Sequence, residues 1–161
     1  MYPTIVTALF DLDKRETHDE RIASDGFVRK IANEYLVLGA KLLAWPSPMV
    51  IFADPELVAQ IDDIRTGLGY ANKTLVRPLP LETSPYYQKH FETVAKAFAE
   101  WRQPRGLSPL KDTPLYLVSS WTKVDCIRQV AELNPFGTRN VFWMDFGIHY
   151  VAVGRMATKT C

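Results

Sequence analysis

The sequence predicts a Rossmann-like α/β domain, a mainly parallel central sheet flanked by helices. Three observations carry this. Short β-branched and apolar runs of strand length alternate with longer segments whose apolar residues recur at helical spacing. The helical segments open at a Ser, Thr or Asp cap, often followed by Pro, and the first three each follow one of the short apolar runs. No internal repeat or low-complexity tract interrupts the order, and 161 residues suit one domain spanning 1–161.

Thr4 to Phe10 is the first strand, apolar and β-branched between Pro3 and the charged run Asp11 to Arg15. Ser24 or Asp25 caps a first helix whose stripe is Phe27, Ile31, Tyr35, Leu38, Leu42 and Trp45, stopping before Pro46. Met49 to Ala53 is the second strand. Asp54-Pro55 then reads as an N-cap and first helical position. The second helix buries Leu57, Ile61, Ile64 and Leu68, leaves Asp62, Asp63 and Arg65 on its other faces, and stops at Gly67 and Gly69. Lys73 to Arg77 is a weaker third strand. Ser84-Pro85 opens a third helix with an aromatic stripe, Tyr87, Phe91, Val94, Phe98 and Trp101, whose spacing suits one buried face. Gln103 to Asp112 is the one long loop signal. Thr113-Pro114 caps a fourth helix running to about Leu133, and Asn134-Pro-Phe-Gly137 ends it ahead of a last strand, Val141 to Met144.

Composition narrows the function. A net charge of +1, with both signs interspersed, argues against a phosphate-backbone binder of nucleic acid and favours a small ligand. No apolar run reaches the roughly 18 residues of a membrane span, and no basic segment precedes the N-terminal apolar run. Cys126 and Cys161 are too few for a disulfide framework, so a reducing, cytoplasmic location is expected. No P-loop, G-x-S-x-G elbow or H-E-x-x-H occurs, and Asp145-Phe-Gly147 lacks the other kinase motifs.

In open α/β sheets ligands bind beyond the carboxyl ends of the strands. That rule selects Thr7 to Asp11, Asp54, Arg77 and the segment Asp145 to His149. Asp145 is delivered by a buried strand into a Gly-containing turn, so its charge needs a metal ion, a basic side chain or backbone N–H groups, unless it serves only to bond its own turn. For Asp54 the N-cap role is already a sufficient reason. His149 reads either as a second ligand beside Asp145 or as a hydrogen-bonded edge residue.

Thr4-Ile-Val-Thr-Ala-Leu-Phe-Asp11, Pro48-Met-Val-Ile-Phe-Ala-Asp54, Ile64-Arg65 with Lys73-Thr74, Thr122-Lys123, and Asn134-Pro-Phe136 followed by Phe142-Trp-Met-Asp-Phe-Gly-Ile148 resemble, in this order, the HtrL/YibB family. That family is associated with surface-polysaccharide gene clusters and is similar to nucleotide-sugar glycosyltransferases of the A-type fold. The resemblance implies transfer of a sugar from a nucleotide-sugar donor to a glycan or surface-polysaccharide acceptor. It implies Asp145 as the first acid of a D-x-D-like motif, touching ribose or a bridging Mn²⁺ or Mg²⁺, with Gly147 where the second acid would stand and His149 as a further metal ligand. Lys123 and Arg65 would face the donor pyrophosphate, each reading otherwise as a solvated helix residue; Asp11 and Asp54 would flank the nucleoside, and Thr7 is a further donor-binding residue. No catalytic base is assigned. A chain ending at Cys161 would hold the donor half, and a homo-oligomer could supply the acceptor side from a second subunit. The alternative is a non-catalytic α/β module for nucleotide binding or protein interaction.

Overall fold

The computed structural model describes residues 2–15, 32–101 and 113–148. Four strands form one sheet: β1 (Thr4–Leu9), β2 (Met49–Ala53), β3 (Thr74–Pro78) and β4 (Val141–Trp143). Their order is β3-β2-β1-β4 and every pairing is parallel, with Ile5 opposite Met49, Thr4 opposite Val141 and Met49 opposite Thr74. Strands buried on both faces explain why β1 and β2 read as continuous apolar runs. The expected α/β, Rossmann-like class is the observed one.

The helices are α1 (Ala32–Leu43), α2 (Pro55–Gly67), α3 (Pro85–Trp101) and α4 (Pro114–Leu133). Side-chain alternation sends Ile5, Leu9, Met49, Ile51 and Ala53 to the face covered by α1 and α2. Val6, Val50 and Phe52 point the other way, against Cys126 and Val130 of α4. Three layers result, with α3 packed on α4. Ser84 and Thr113 do cap their helices, accepting from the backbone N–H of Tyr87 and Tyr116. Asn134, in the left-handed region at φ 37°, ends α4.

Several helical faces differ from the expected ones. On α1 the buried positions are Leu36, Gly39, Leu42 and Leu43, while Trp45 is exposed beyond the helix end. The stripe is rotated because the Phe146 ring lies on Gly39, where a Cβ would collide with it. On α2 Leu68 is exposed and Arg65 is fully buried, the reverse of the amphipathic reading. On α3 Tyr87, Phe91, Val94 and Phe98 are half-buried, so the aromatic face is a flank of the α3–α4 pair and not core. Tyr87 and Phe91 stack at 4.4 Å between ring centres. The expected Ser24 and Asp25 caps, Phe27 and Ile31 of the first stripe, and the loop Gln103 to Asp112 lie outside the described residues.

Candidate functional site

The chain runs from β1 outward through β2 to β3, then returns to place β4 on the other side of β1. Strand order therefore reverses between β1 and β4, which in open α/β sheets is where a crevice forms at the carboxyl ends. Two side-chain groups stand on this rim.

The first follows β4. Lys123 Nζ lies 2.7 Å from Asp145 Oδ1, and the Trp143 indole N–H donates to the same oxygen at 2.9 Å. Lys123 also sits 5.6 Å from the Trp143 ring centre. Partial burial alone would raise the Asp145 carboxyl. The hydrogen bonds from Lys123 and Trp143 outweigh it and hold the group below the usual carboxylate range. Phe146 anchors the turn by inserting into the α1 face.

The second group follows β1, β2 and β3. Asp54, fully buried, makes no cap hydrogen bond of its own at the start of α2. Its carboxylate accepts the Asp11 backbone N–H at 2.7 Å and both terminal nitrogens of Arg15 at 2.7 and 2.8 Å. Asp54 holds the expected N-cap position, but its side chain does not cap the helix: a bidentate arginine and the β1 loop hold the charge that burial would otherwise make costly. Arg15 further donates to the Asp11 carbonyl at 2.7 Å and to Glu82 through Nε and Nη2. Glu82 is pushed down to about 2, chiefly by its hydrogen bond from Arg15. Lys14 pairs with Glu56. Asp11 is gripped through its backbone N–H and carbonyl, and its carboxylate accepts only a long 3.4 Å contact from the Lys14 N–H among the described residues.

The remaining expected residues separate. Thr7 is fully buried in β1 on the α1 side. Its hydroxyl is the single buried side-chain polar atom without a hydrogen-bond partner among the described residues. Arg77, half-buried on β3, places its guanidinium carbon 5.9 Å from the Phe52 ring centre, on the α4 side. Arg65 lies at the opposite, amino-terminal end of the strands. Its guanidinium donates to the carbonyls of Leu43, Trp45 and Ser47, which lead into β2, and to Thr74 at the start of β3. It takes no part in the rim. His149 lies outside the described residues. Among those described, no three His, Cys, Asp or Glu side chains converge as a metal site, and the donor set around Asp145 is a cation and an indole N–H. Burial pushes the Cys126 thiol up to about 12, so it is not a nucleophile at neutral pH.

Lys14, Arg15, Glu56 and Glu82 were not selected from the sequence. A signal was present for three of them: Lys14 and Arg15 stand four residues or fewer past Asp11, and Glu82 shortly follows β3.

The family model described as "Bacterial protein of unknown function (HtrL_YibB)" matches residues 2–157. The chain belongs to the HtrL/YibB family. It is 27% identical over 151 residues to "Protein HtrL" of Escherichia coli strain K12, an alignment covering 89% of this chain and 50% of that one. It thus spans about half the length of the curated relative it matches. No solved structure matches the chain. The matched span includes the Asp145 block, and the described part of that block follows β4 at the strand-order reversal. No described helix is long and apolar enough to cross a membrane.

Proposed function

We propose that this chain is the donor-binding part of a nucleotide-sugar glycosyltransferase that acts on a glycan or surface-polysaccharide acceptor. The observation that carries the reading is Asp145, held by Lys123 and Trp143 at the carboxyl end of β4, where strand order reverses beside β1. There the carboxylate of Asp11 accepts donor hydroxyls, and Lys123 offers positive charge toward the departing diphosphate. Asp54 acts at one remove, by fixing the Asp11 loop. Mn²⁺ or Mg²⁺, when bound, would supply charge neutralisation for the leaving group, and it would take Asp145 from Lys123 to do so.

Calorimetry with UDP, GDP and their sugars, with and without Mn²⁺, tests the reading. Binding of at least one donor, lost in Asp145→Asn without loss of folding, is the expected outcome. No binding across the panel sinks it. One observation favours the second reading, a non-catalytic nucleotide-binding module: Asp145 is already neutralised by a protein cation and joins no group of three or more His, Cys, Asp or Glu side chains among the described residues. Donor binding without turnover or hydrolysis would select that reading.

A further inference from the structure

Arg15 is held by two carboxylates that are not equivalent. One edge of its guanidinium faces Asp54, whose side chain is 0% exposed and is itself fixed by the Asp11 N–H. The other edge, Nε–H and Nη2–H, faces Glu82, whose side chain is 45% exposed. Glu82 belongs to the short turn Leu81–Thr83, and its neighbours Leu81 and Ser84 are fully buried. The turn is therefore anchored on both sides while the Glu82 side chain can rotate outward alone. What remains behind is a fork of two parallel donors already oriented by Asp54 and by the Asp11 carbonyl. That geometry matches a phosphate as well as it matches a carboxylate.

We propose that the outer edge of Arg15 is a phosphate-binding site, filled in this structure by the Glu82 carboxylate, which a ligand's phosphate group displaces. Charge allows one anionic group to be exchanged for another at this edge. With Glu82 turned away, Lys14 and Arg15 balance Asp54 and Glu56, one pair each, and Asp11 is the one further acid of the group. The arriving phosphate then replaces one negative charge with another. Orientation of the guanidinium is no longer part of the binding cost, because the buried edge holds it in either case. The inference does not depend on Asp145 or on a sugar nucleotide; it requires only an oxyanion.

The test titrates the wild-type chain, Glu82→Gln, and Glu82→Gln combined with Arg15→Lys with inorganic pyrophosphate and with UDP, in buffer without divalent cations. Glu82→Gln is expected to bind pyrophosphate roughly tenfold tighter than wild type, and Arg15→Lys to remove that gain, since lysine keeps the charge that Asp54 needs but not the paired donors. UDP following pyrophosphate identifies the phosphate as a nucleotide's; pyrophosphate alone identifies a different phosphate ester. In the wild-type chain the Arg15 Nε–H resonance shifts as pyrophosphate is added, a readout that holds even where a variant folds poorly. A Glu82→Gln chain that binds no tighter than wild type, or an Arg15 resonance that stays in place at saturating pyrophosphate, overturns the proposal and leaves Glu82 as a structural tie.

Discussion

Replacing Arg65 with methionine should destabilise the protein severely although it touches neither rim group. Methionine fills a comparable volume but offers no donor. Five hydrogen bonds disappear: to the carbonyls of Leu43, Trp45 and Ser47 at 2.7 to 3.0 Å, to Thr74 Oγ1 at 2.8 Å, and a long one to the Lys73 carbonyl at 3.4 Å. Water can reach some of these acceptors, since Trp45 and the β3 entry are partly exposed. The bonds to Leu43 and Ser47 are buried, and each acceptor left open there costs about 1–3 kcal/mol. Two of them at a middle value give about 4 kcal/mol, a large share of the roughly 5–15 kcal/mol that holds a domain together. With a urea slope of about 2 kcal/mol/M, the unfolding midpoint falls by about 2 M. Arg65→Lys, with three donors on a point charge, should recover part of the loss. Equilibrium urea unfolding followed by tryptophan fluorescence measures it. A midpoint shift under about 0.5 M for Arg65→Met would refute the claim that these carbonyls depend on the guanidinium.

Thr7→Val removes a buried hydroxyl that has no hydrogen-bond partner among the described residues, so stability should rise by about 1 kcal/mol or more. A fall of that size in thermal unfolding would mean that the hydroxyl is bonded in solution. Gly39→Ala gains about 1 kcal/mol in helix propensity but drives a Cβ into the buried Phe146 ring, and overpacking of about 1–3 kcal/mol should win; a more stable variant contradicts the close packing. Glu82 has its carboxyl lowered from 4.5 to about 2, so its pairing contributes stability above pH 4.5 that is lost as pH falls toward 2. Because Glu82 is partly exposed, screening keeps the contribution small. Acid titration of unfolding should be shallower in Glu82→Gln over that window, and an unchanged slope would count against the pairing.

Much of the fold was legible because periodicity reports burial directly. Thr4 to Leu9 and Met49 to Ala53 are apolar on both faces since helices cover both, and the caps Ser84 and Thr113 make the hydrogen bonds their side chains promise. Failures came where a side chain's partner lies far along the chain. Arg65 looks solvated on a helical wheel, yet its partners are carbonyls 18 to 22 residues earlier, at the entry to β2. Asp54 looks like a cap because Pro55 follows it, but Arg15, 39 positions away, claims the carboxylate. Gly39 breaks no pattern until Phe146 arrives on top of it. Asp145 was found by its strand-end position, and its partner Lys123 by family resemblance, but the indole N–H of Trp143 that joins them could not be read from either.

The rim acids differ in how much of their bonding capacity is already used. Asp54 is enclosed and fully answered by Arg15 and the Asp11 N–H, so it shapes the site without meeting a ligand. Asp145 is half exposed and answered by Lys123 and Trp143 on a single oxygen, Oδ1, which leaves Oδ2 without a hydrogen-bond donor among the described residues. Asp11 keeps nearly all its acceptor capacity. On the proposed reading a ligand would meet hydrogen-bond acceptors at Asp11 and at the second oxygen of Asp145, and cations at Lys123 and Arg15 that it could use only by competing with a carboxylate. Hydroxyl groups need no such competition, while phosphate groups do. A molecule carrying both would be oriented by its hydroxyls first, and its phosphate would then exchange with Glu82 at high effective concentration, which is how a modest displacement can become favourable. On this reasoning a nucleotide should bind more tightly than pyrophosphate in the wild-type chain, and the advantage should narrow in Asp11→Asn, whose amide offers one acceptor oxygen where the carboxylate offered two.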